Sequence, residues 1–222
     1  SVQALVAKFV ETFVAFFRKA YIGRILAFLL LYRLAEAQLV KLAAPFLLDD
    51  RGTGGLSLGT AEVGFVYGTI GALMLTLGGI AGGMLAARQG LRYWLWWMVA
   101  AINVPNAVYI LLAVFQPESF LLVNIAVGIE QLGYGFGFTA YTLYMIYISR
   151  GQHSTAHFAI CTGFMALGMM LPGLVSGWLQ ELLGYQLIFV WVLLATIPSF
   201  IVVGLIPLDA GFGRRDTAPT GD

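Results

Sequence analysis

Within LYRLAEAQLVK, residues 31–41, an arginine, a glutamate, a glutamine and a lysine interrupt an otherwise apolar stretch. A charge at the centre of a bilayer is costly, so such side chains usually face a bundle interior or a wet cavity and pair with something. Arg33 and Glu36 are three apart, adjoin on one helix face, and can form a mutual ion pair. Lys41 lies one to two turns further along. Glu130 is a second acid inside an apolar run. A glutamate poised between burial and a neighbouring guanidinium can take and release a proton. Glu36 and Glu130 are therefore the candidate proton carriers, with Arg33 and Lys41 tuning them or holding an anionic substrate. The alternative is that Arg33–Glu36 is a fixed latch and Glu130 caps a polar network. Gln38 and Gln131 neighbour the two acids and are candidates for substrate contact. Asn103, Asn106 and Asn124 read as groups that bond neighbouring helices. Tyr134, Tyr141, Tyr144 and Tyr147 read mainly as packing or interfacial rings, and His157 as a cap or packing residue.

The elements that must position these side chains follow from composition. Hydrophobic residues make up 60% of the 222, charged residues 10%, and mean hydropathy is +0.88. There are too few charges for the polar shell of a soluble domain, so the chain reads as an all-α, polytopic membrane protein. Six apolar runs can each cross a hydrocarbon core of roughly 30 Å as a helix, which takes ~20 residues. They lie at about 20–48, 59–87, 91–115, 119–149, 154–181 and 185–207. Residues 1–19 interleave Val2, Leu5, Val6, Phe9, Phe13, Phe16 and Phe17 with Lys8, Glu11, Arg18 and Lys19, the pattern of an amphipathic helix lying in the membrane interface. The tail at 208–222 is polar and expected to be mobile.

Other chemistries find no footing. Cys161 is the single cysteine, no Cys/His cluster has metal-ligand spacing, and no phosphate-cradling loop is present. No nucleophile stands beside a base. We expect no metal, no cofactor, no nucleic acid and no enzyme activity. The Gly133-x-Gly135-x-Gly137 run lies inside a span and reads as close helix packing, as do Gly64/Gly68, Gly78/Gly82, Gly79/Gly83 and Gly173/Gly177. Pro45, Pro105, Pro172 and Pro198 are expected to bend helices. The chain starts at Ser1, as a piece of a longer polypeptide would.

Nine basic residues, Lys8, Arg18, Lys19, Arg24, Arg88, Arg92, Arg150, Arg214 and Arg215, fall on one side of the six runs, and Arg51 on the other. By the positive-inside rule both termini are cytoplasmic. Trp94, Trp96 and Trp97 then sit at the inner interface and Trp178 near the outer one. Two stretches echo each other 94 positions apart: Gly83 to Gly90 before LRYWLWW, and Gly177 to Gly184 before YQLIFVW. The same offset carries Thr60 onto Ser154, Leu73 onto Leu167, Gly79 onto Gly173 and Glu36 onto Glu130. Three helices separate the copies, so the second is inverted, giving two three-helix repeats at about 20–115 and 119–207. Inverted repeats are a transporter architecture with a site near the midplane.

GGMLAARQGLR resembles the loop motif of the major facilitator superfamily at Gly83, Leu85, Ala86, Arg88, Gly90 and Arg92, departing from it at Ala87, where that family commonly has Asp. The resemblance implies the C-terminal six-helix half of a twelve-helix transporter, the loop motif gating it, and an N-terminal half as its partner. LLYRLAEAQL, LGTAEVGFVYGTIG, NVPNAVYILLA and IEQLGYGFGFTAYTLYMIYIS are similar to AmpG-type muropeptide permeases. That likeness implies proton-coupled uptake (symport) of anhydro-sugar peptides across an inner membrane. Another anionic cargo, such as an acyl-coenzyme A or a sugar phosphate, or a non-transporting sensor on the same fold, stays open at this stage.

Overall fold

The structure is a computed structural model that describes residues 2–215, and none of these is in a strand. In hydrocarbon every backbone donor and acceptor must be satisfied within its own segment, which makes helix the outcome for long apolar runs. The chain forms α1 (Val2–Phe17), α2 (Ile22–Leu31), α3 (Leu34–Leu48), α4 (Thr60–Phe65), α5 (Ala72–Gln89), α6 (Leu91–Asn103), α7 (Ala107–Phe115), α8 (Phe120–Ile148), α9 (Ser154–Leu194) and α10 (Ile197–Leu205). A π-helical turn, Val66–Gly71, joins α4 to α5, and a 3-10 turn at Val104–Asn106, carrying Pro105, joins α6 to α7.

Among the described residues four helical runs are long and apolar enough to cross a membrane: Thr60–Gln89, Leu91–Phe115, Phe120–Ile148 and Ser154–Leu205. The expected run at 20–48 is instead broken. Arg33, at φ −109 and ψ 20, leaves the helical region and divides α2 from α3. The expected runs at 154–181 and 185–207 fall within one helical stretch of 52 residues, which as a straight helix would span about 78 Å, more than twice the core thickness, and they are distinct limbs. The chain turns at Gly184 (φ 71, ψ 169). Before the turn, Gly168 abuts the Leu29 and Leu30 carbonyls and Gly173 abuts Ala37 and Lys41. After it, Tyr185 donates to Asp49 at 2.6 Å, Trp191 to Gln38 at 2.9 Å and Ser199 to the Leu31 carbonyl at 3.2 Å. The two limbs therefore run in opposite directions along α2 and α3. Gly90 ends α5 with nearly the same backbone, φ 88 and ψ 153, a conformation open essentially to glycine alone.

Glycines set the helix contacts around α8. A Cβ at Gly135 would strike the Leu75 carbonyl, one at Gly78 the Leu132 carbonyl, and those at Gly133 and Gly137 the Ala101 and Met98 carbonyls. Gly64, Gly68, Gly83 and Gly177 have nothing within 4 Å among the described residues, so at those positions the four-residue spacing marks no contact there.

Two apolar cores result. One gathers Phe28, Tyr32, Met98, Tyr141, Tyr144 and Cys161, and the other Phe46, Tyr109, Val127, Tyr185 and Phe189. Between the segments that build the two cores, four of the limbs place buried polar residues: Arg33, Glu36 and Gln38 in α2–α3, Asn103 and Asn106 in α6–α7, Glu130 in α8, and Thr196 and Ser199 in the last limb.

At the edges, α1 docks on α9 through Phe16, whose ring meets His157 at 5.5 Å, while Val10 and Val14 stay exposed. The side chains of Val2, Leu5, Val6 and Phe9, part of the expected amphipathic pattern, lie outside what is described. Residues 208–215 of the expected mobile tail pack on the α5–α6 turn. Leu91 N donates to the Phe212 carbonyl, Arg215 N donates to the Ala87 carbonyl, and Phe212 is buried. Residues 216–222 lie outside the described residues.

Candidate functional site

The break at Arg33 determines where the charges of LYRLAEAQLVK go. Arg33 caps α3 with no side-chain cap bond of its own. Its guanidinium lies over the Phe138 ring at 4.6 Å and the Tyr134 ring at 5.3 Å, both on α8, and donates to the Tyr134 hydroxyl. The ring faces attract the cation, and the planar group stacks on them. The expected Arg33–Glu36 ion pair is absent. Both carboxylate oxygens of Glu36 are buried without a hydrogen-bond partner. Three-residue spacing brings side chains together only on an unbroken helix, and here the arginine precedes the first turn of α3.

Glu36 faces a cavity of about 240 Å³ between α3, the π-turn, α7 and α8. Its polar lining is Glu36, Tyr67, Tyr109, Glu130, Gln131 and Tyr134, and Val40 and Ala44 belong to the apolar remainder. Among the described residues no basic side chain lines it. Glu130, 2% exposed, accepts from Gln131 Nε2 at 3.0 Å and weakly from Tyr109 at 3.5 Å. The Tyr109 and Tyr67 hydroxyls share a hydrogen bond of 2.6 Å. The structure thus brings Glu36, Glu130 and Gln131 to one cavity, with Arg33 held beside it through Tyr134. Two carboxyls on one small cavity, continued by a chain of phenols, can accept, share and pass on a proton.

Other residues singled out in the sequence go elsewhere. Gln38 receives Trp191 Nε1 and donates to the Leu34 carbonyl at 3.3 Å, which ties α3 to the last limb. Lys41 lines a separate groove of about 660 Å³ with Met169, Met170 and Gly173. Asn103 and Asn124 bond carbonyls one turn back, and both polar atoms of the Asn106 side chain are buried without a partner. Tyr141 donates to the Leu29 carbonyl, Tyr147 packs on Phe212, and the Tyr144 hydroxyl is buried and unpartnered. His157 bonds the Thr12 carbonyl at 3.3 Å, a packing role. The loop motif forms the α5–α6 turn: Gly83 is open to its surroundings, Gly90 takes the left-handed turn, Arg92 reaches the Leu208 carbonyl and Arg88 points to a surface cleft.

Tyr67 and Tyr109 were not singled out from the sequence. Their signal was a phenol deep in an apolar run, and it gained meaning only when two helices placed the hydroxyls together. The π-turn carrying Tyr67 is a common mark of functional sites.

No known protein-family profile matches the chain. It is similar to the anhydromuropeptide permease of Escherichia coli (strain K12), 29% identical over 188 residues, covering 85% of this chain and 37% of that protein. It is also similar to putative transporter AmpG 1 of Rickettsia prowazekii, 24% identical over 183 residues, covering 82% and 40%, and to that of Rickettsia felis, 26% identical over 185 residues, covering 82% and 40%. The chain spans about two-fifths of the length of the curated relatives it matches. The likeness to AmpG-type permeases read from the sequence is therefore shown over more than four-fifths of this chain. The relatives are named as permeases or transporters, not enzymes, and with its apolar helices the chain is a multi-pass membrane protein.

Proposed function

We propose that this chain is the C-terminal six-helix half of a proton-coupled transporter that takes up anhydro-sugar peptides by alternating access. The observation that carries the reading is the convergence of Glu36 and Glu130 on one cavity that no basic side chain lines among the described residues. The acids are 94 positions apart, the offset of the proposed inverted repeat. Other pairs at that offset support it: Gly90 and Gly184 share a backbone conformation, and Thr60 and Ser154 each begin a helix.

In this mechanism the two carboxyls carry the proton, and Tyr67, Tyr109 and Gln131 offer hydroxyl and amide groups to sugar hydroxyls or peptide amides. Arg33 is a positioning residue that fixes the start of α3 against α8. A cavity of about 240 Å³ falls below the usual 300–1,000 Å³ of a pocket for a drug-sized ligand. The other six-helix half supplies the rest of the binding surface, and the two halves rock about the shared site. The excess of basic residues on one side supports placing both termini in the cytoplasm, and the likeness to permeases supports an inner-membrane location.

The test is accumulation of labelled anhydromuropeptide in vesicles carrying the full-length transporter, driven by an imposed proton gradient and collapsed by a protonophore. Glu36→Gln and Glu130→Gln are each expected to cut gradient-driven accumulation at least tenfold while sparing gradient-free exchange. Undiminished accumulation in both variants refutes the coupling role. Failure of the parent to take up the muropeptide refutes the cargo.

A further inference from the structure

Away from the acidic cavity, Arg88, Arg214 and Arg215 converge on a cleft of about 420 Å³ whose other walls are Met84 and Ala87. The cleft is built rather than a chance meeting of mobile side chains. Arg215 N donates to the Ala87 carbonyl at 2.7 Å and Leu91 N to the Phe212 carbonyl at 2.8 Å, fastening the segment after α10 to the end of α5. Phe212 is buried beneath it, with the Arg150 guanidinium stacked on its ring at 4.4 Å. Arg88 occupies the last turn of α5, where the helix dipole favours a cation. Among the described residues the side chains of Arg88, Arg214 and Arg215 make no hydrogen bond or ion pair, and no carboxylate lines the cleft. Three unspent forks around one opening match the oxygens of a phosphate group.

What lies beside the cleft selects the kind of phosphate. Leu73, Leu77, Ile80 and Met84 are each about half exposed and recur along α5 at spacings of four, three and four, one continuous apolar stripe ending at the arginines. Exposed Tyr93, Trp96 and Trp97 stand at the start of α6, just past the same turn, where interfacial aromatics sit. An apolar track capped by cations fits an amphiphile with an anionic head. We propose that this cleft is a binding site for an anionic phospholipid, its phosphate held by Arg88, Arg214 and Arg215 and its acyl chains lying along α5. This site is independent of the transport reading.

Native mass spectrometry of the full-length transporter, purified with phosphatidylglycerol and phosphatidylcholine in equal amounts, tests it. The parent is expected to retain phosphatidylglycerol. Arg88→Gln/Arg214→Gln/Arg215→Gln is expected to weaken retention on the order of a hundredfold, each arginine near the surface contributing ~1 kcal/mol. Arg18→Gln/Arg24→Gln, which removes two basic residues outside the cleft, is expected to retain the lipid as the parent does. Equal retention by the triple variant overturns the proposal. So does equal loss in the Arg18/Arg24 control, which reduces the effect to general charge attraction. Displacement of the lipid by inorganic phosphate alone assigns the cleft to a soluble phosphate and overturns the lipid.

Discussion

Arg33 shows how one side chain can be held in an apolar bundle without an acid beside it. It is 7% exposed, lies over Phe138 and Tyr134, donates to the Tyr134 hydroxyl and leaves its Nε without a partner. A lysine keeps the charge but has neither the planar face nor the fork. Tyr134→Phe removes the acceptor and keeps the ring, so it should destabilise the protein by roughly 1–3 kcal/mol, the cost of losing a hydrogen bond to a charged group. Arg33→Lys should cost about 1–2 kcal/mol through lost stacking. Both are read as a lowered thermal midpoint in detergent. An unchanged midpoint for Tyr134→Phe would mean that the ring stack alone holds the guanidinium. Glu36 differs in kind, because its two oxygens are buried with no donor bonded to them. That contrast underlies the proposed division of roles, with Arg33 positioning the start of α3 and Glu36 exchanging a proton.

The elements depend on a few backbone conformations that only glycine adopts easily. Gly90 and Gly184 each pass from one helix directly into the next at φ near +80, with ψ 153 and 169. Alanine at Gly184 should cost about 1–3 kcal/mol in backbone strain although nothing lies within 4 Å of its Cβ, so a loss there reports conformation and not collision. Gly64→Ala, in an equally open helical site, is the control and should hold or raise the thermal midpoint. Equal midpoints for the two variants would show that the Gly184 turn is not under this constraint. The helices and the tight contacts of Gly133, Gly135 and Gly137 were legible in the sequence, because hydropathy and small residues act locally. The break at Arg33 was not legible, since aromatic rings more than 100 positions away on α8 determine it. The Tyr67–Tyr109 pair was hidden for the same reason, each phenol looking like packing until the other helix is in place. The Gly64/Gly68 spacing misled because a short motif does not say which face of its helix meets a neighbour.

On the scale of the whole molecule, the buried polar layer between two apolar cores fixes where a membrane would lie. Arg33 and Glu36 on one limb, and Asn103, Glu130 and Ser199 on three others, are buried between the segments that build the two cores. The α5–α6 and α8–α9 turns, with Arg88, Arg92 and Arg150, then lie beyond one core, and the α3–α4 connection with Asp49, Asp50 and Arg51 lies beyond the other. Nine basic residues on the first side against one on the second set the expected orientation. Cysteine labelling can read this directly, because Cys161 is buried in the apolar core and is replaced by alanine without exposing a new thiol. In that background Gly52→Cys, where a Cβ meets nothing within 4 Å, should react with a membrane-impermeant maleimide added to intact cells. Cysteine at the exposed Gln89 or Gln152 should react only after the membrane is opened. The reverse pattern inverts the topology, whereas labelling of Gly52→Cys and Gln152→Cys from the same side contradicts the three crossings expected between them. That second result would also detach Glu36 and Glu130 from the membrane midplane and remove the physical basis of the coupling proposed for them.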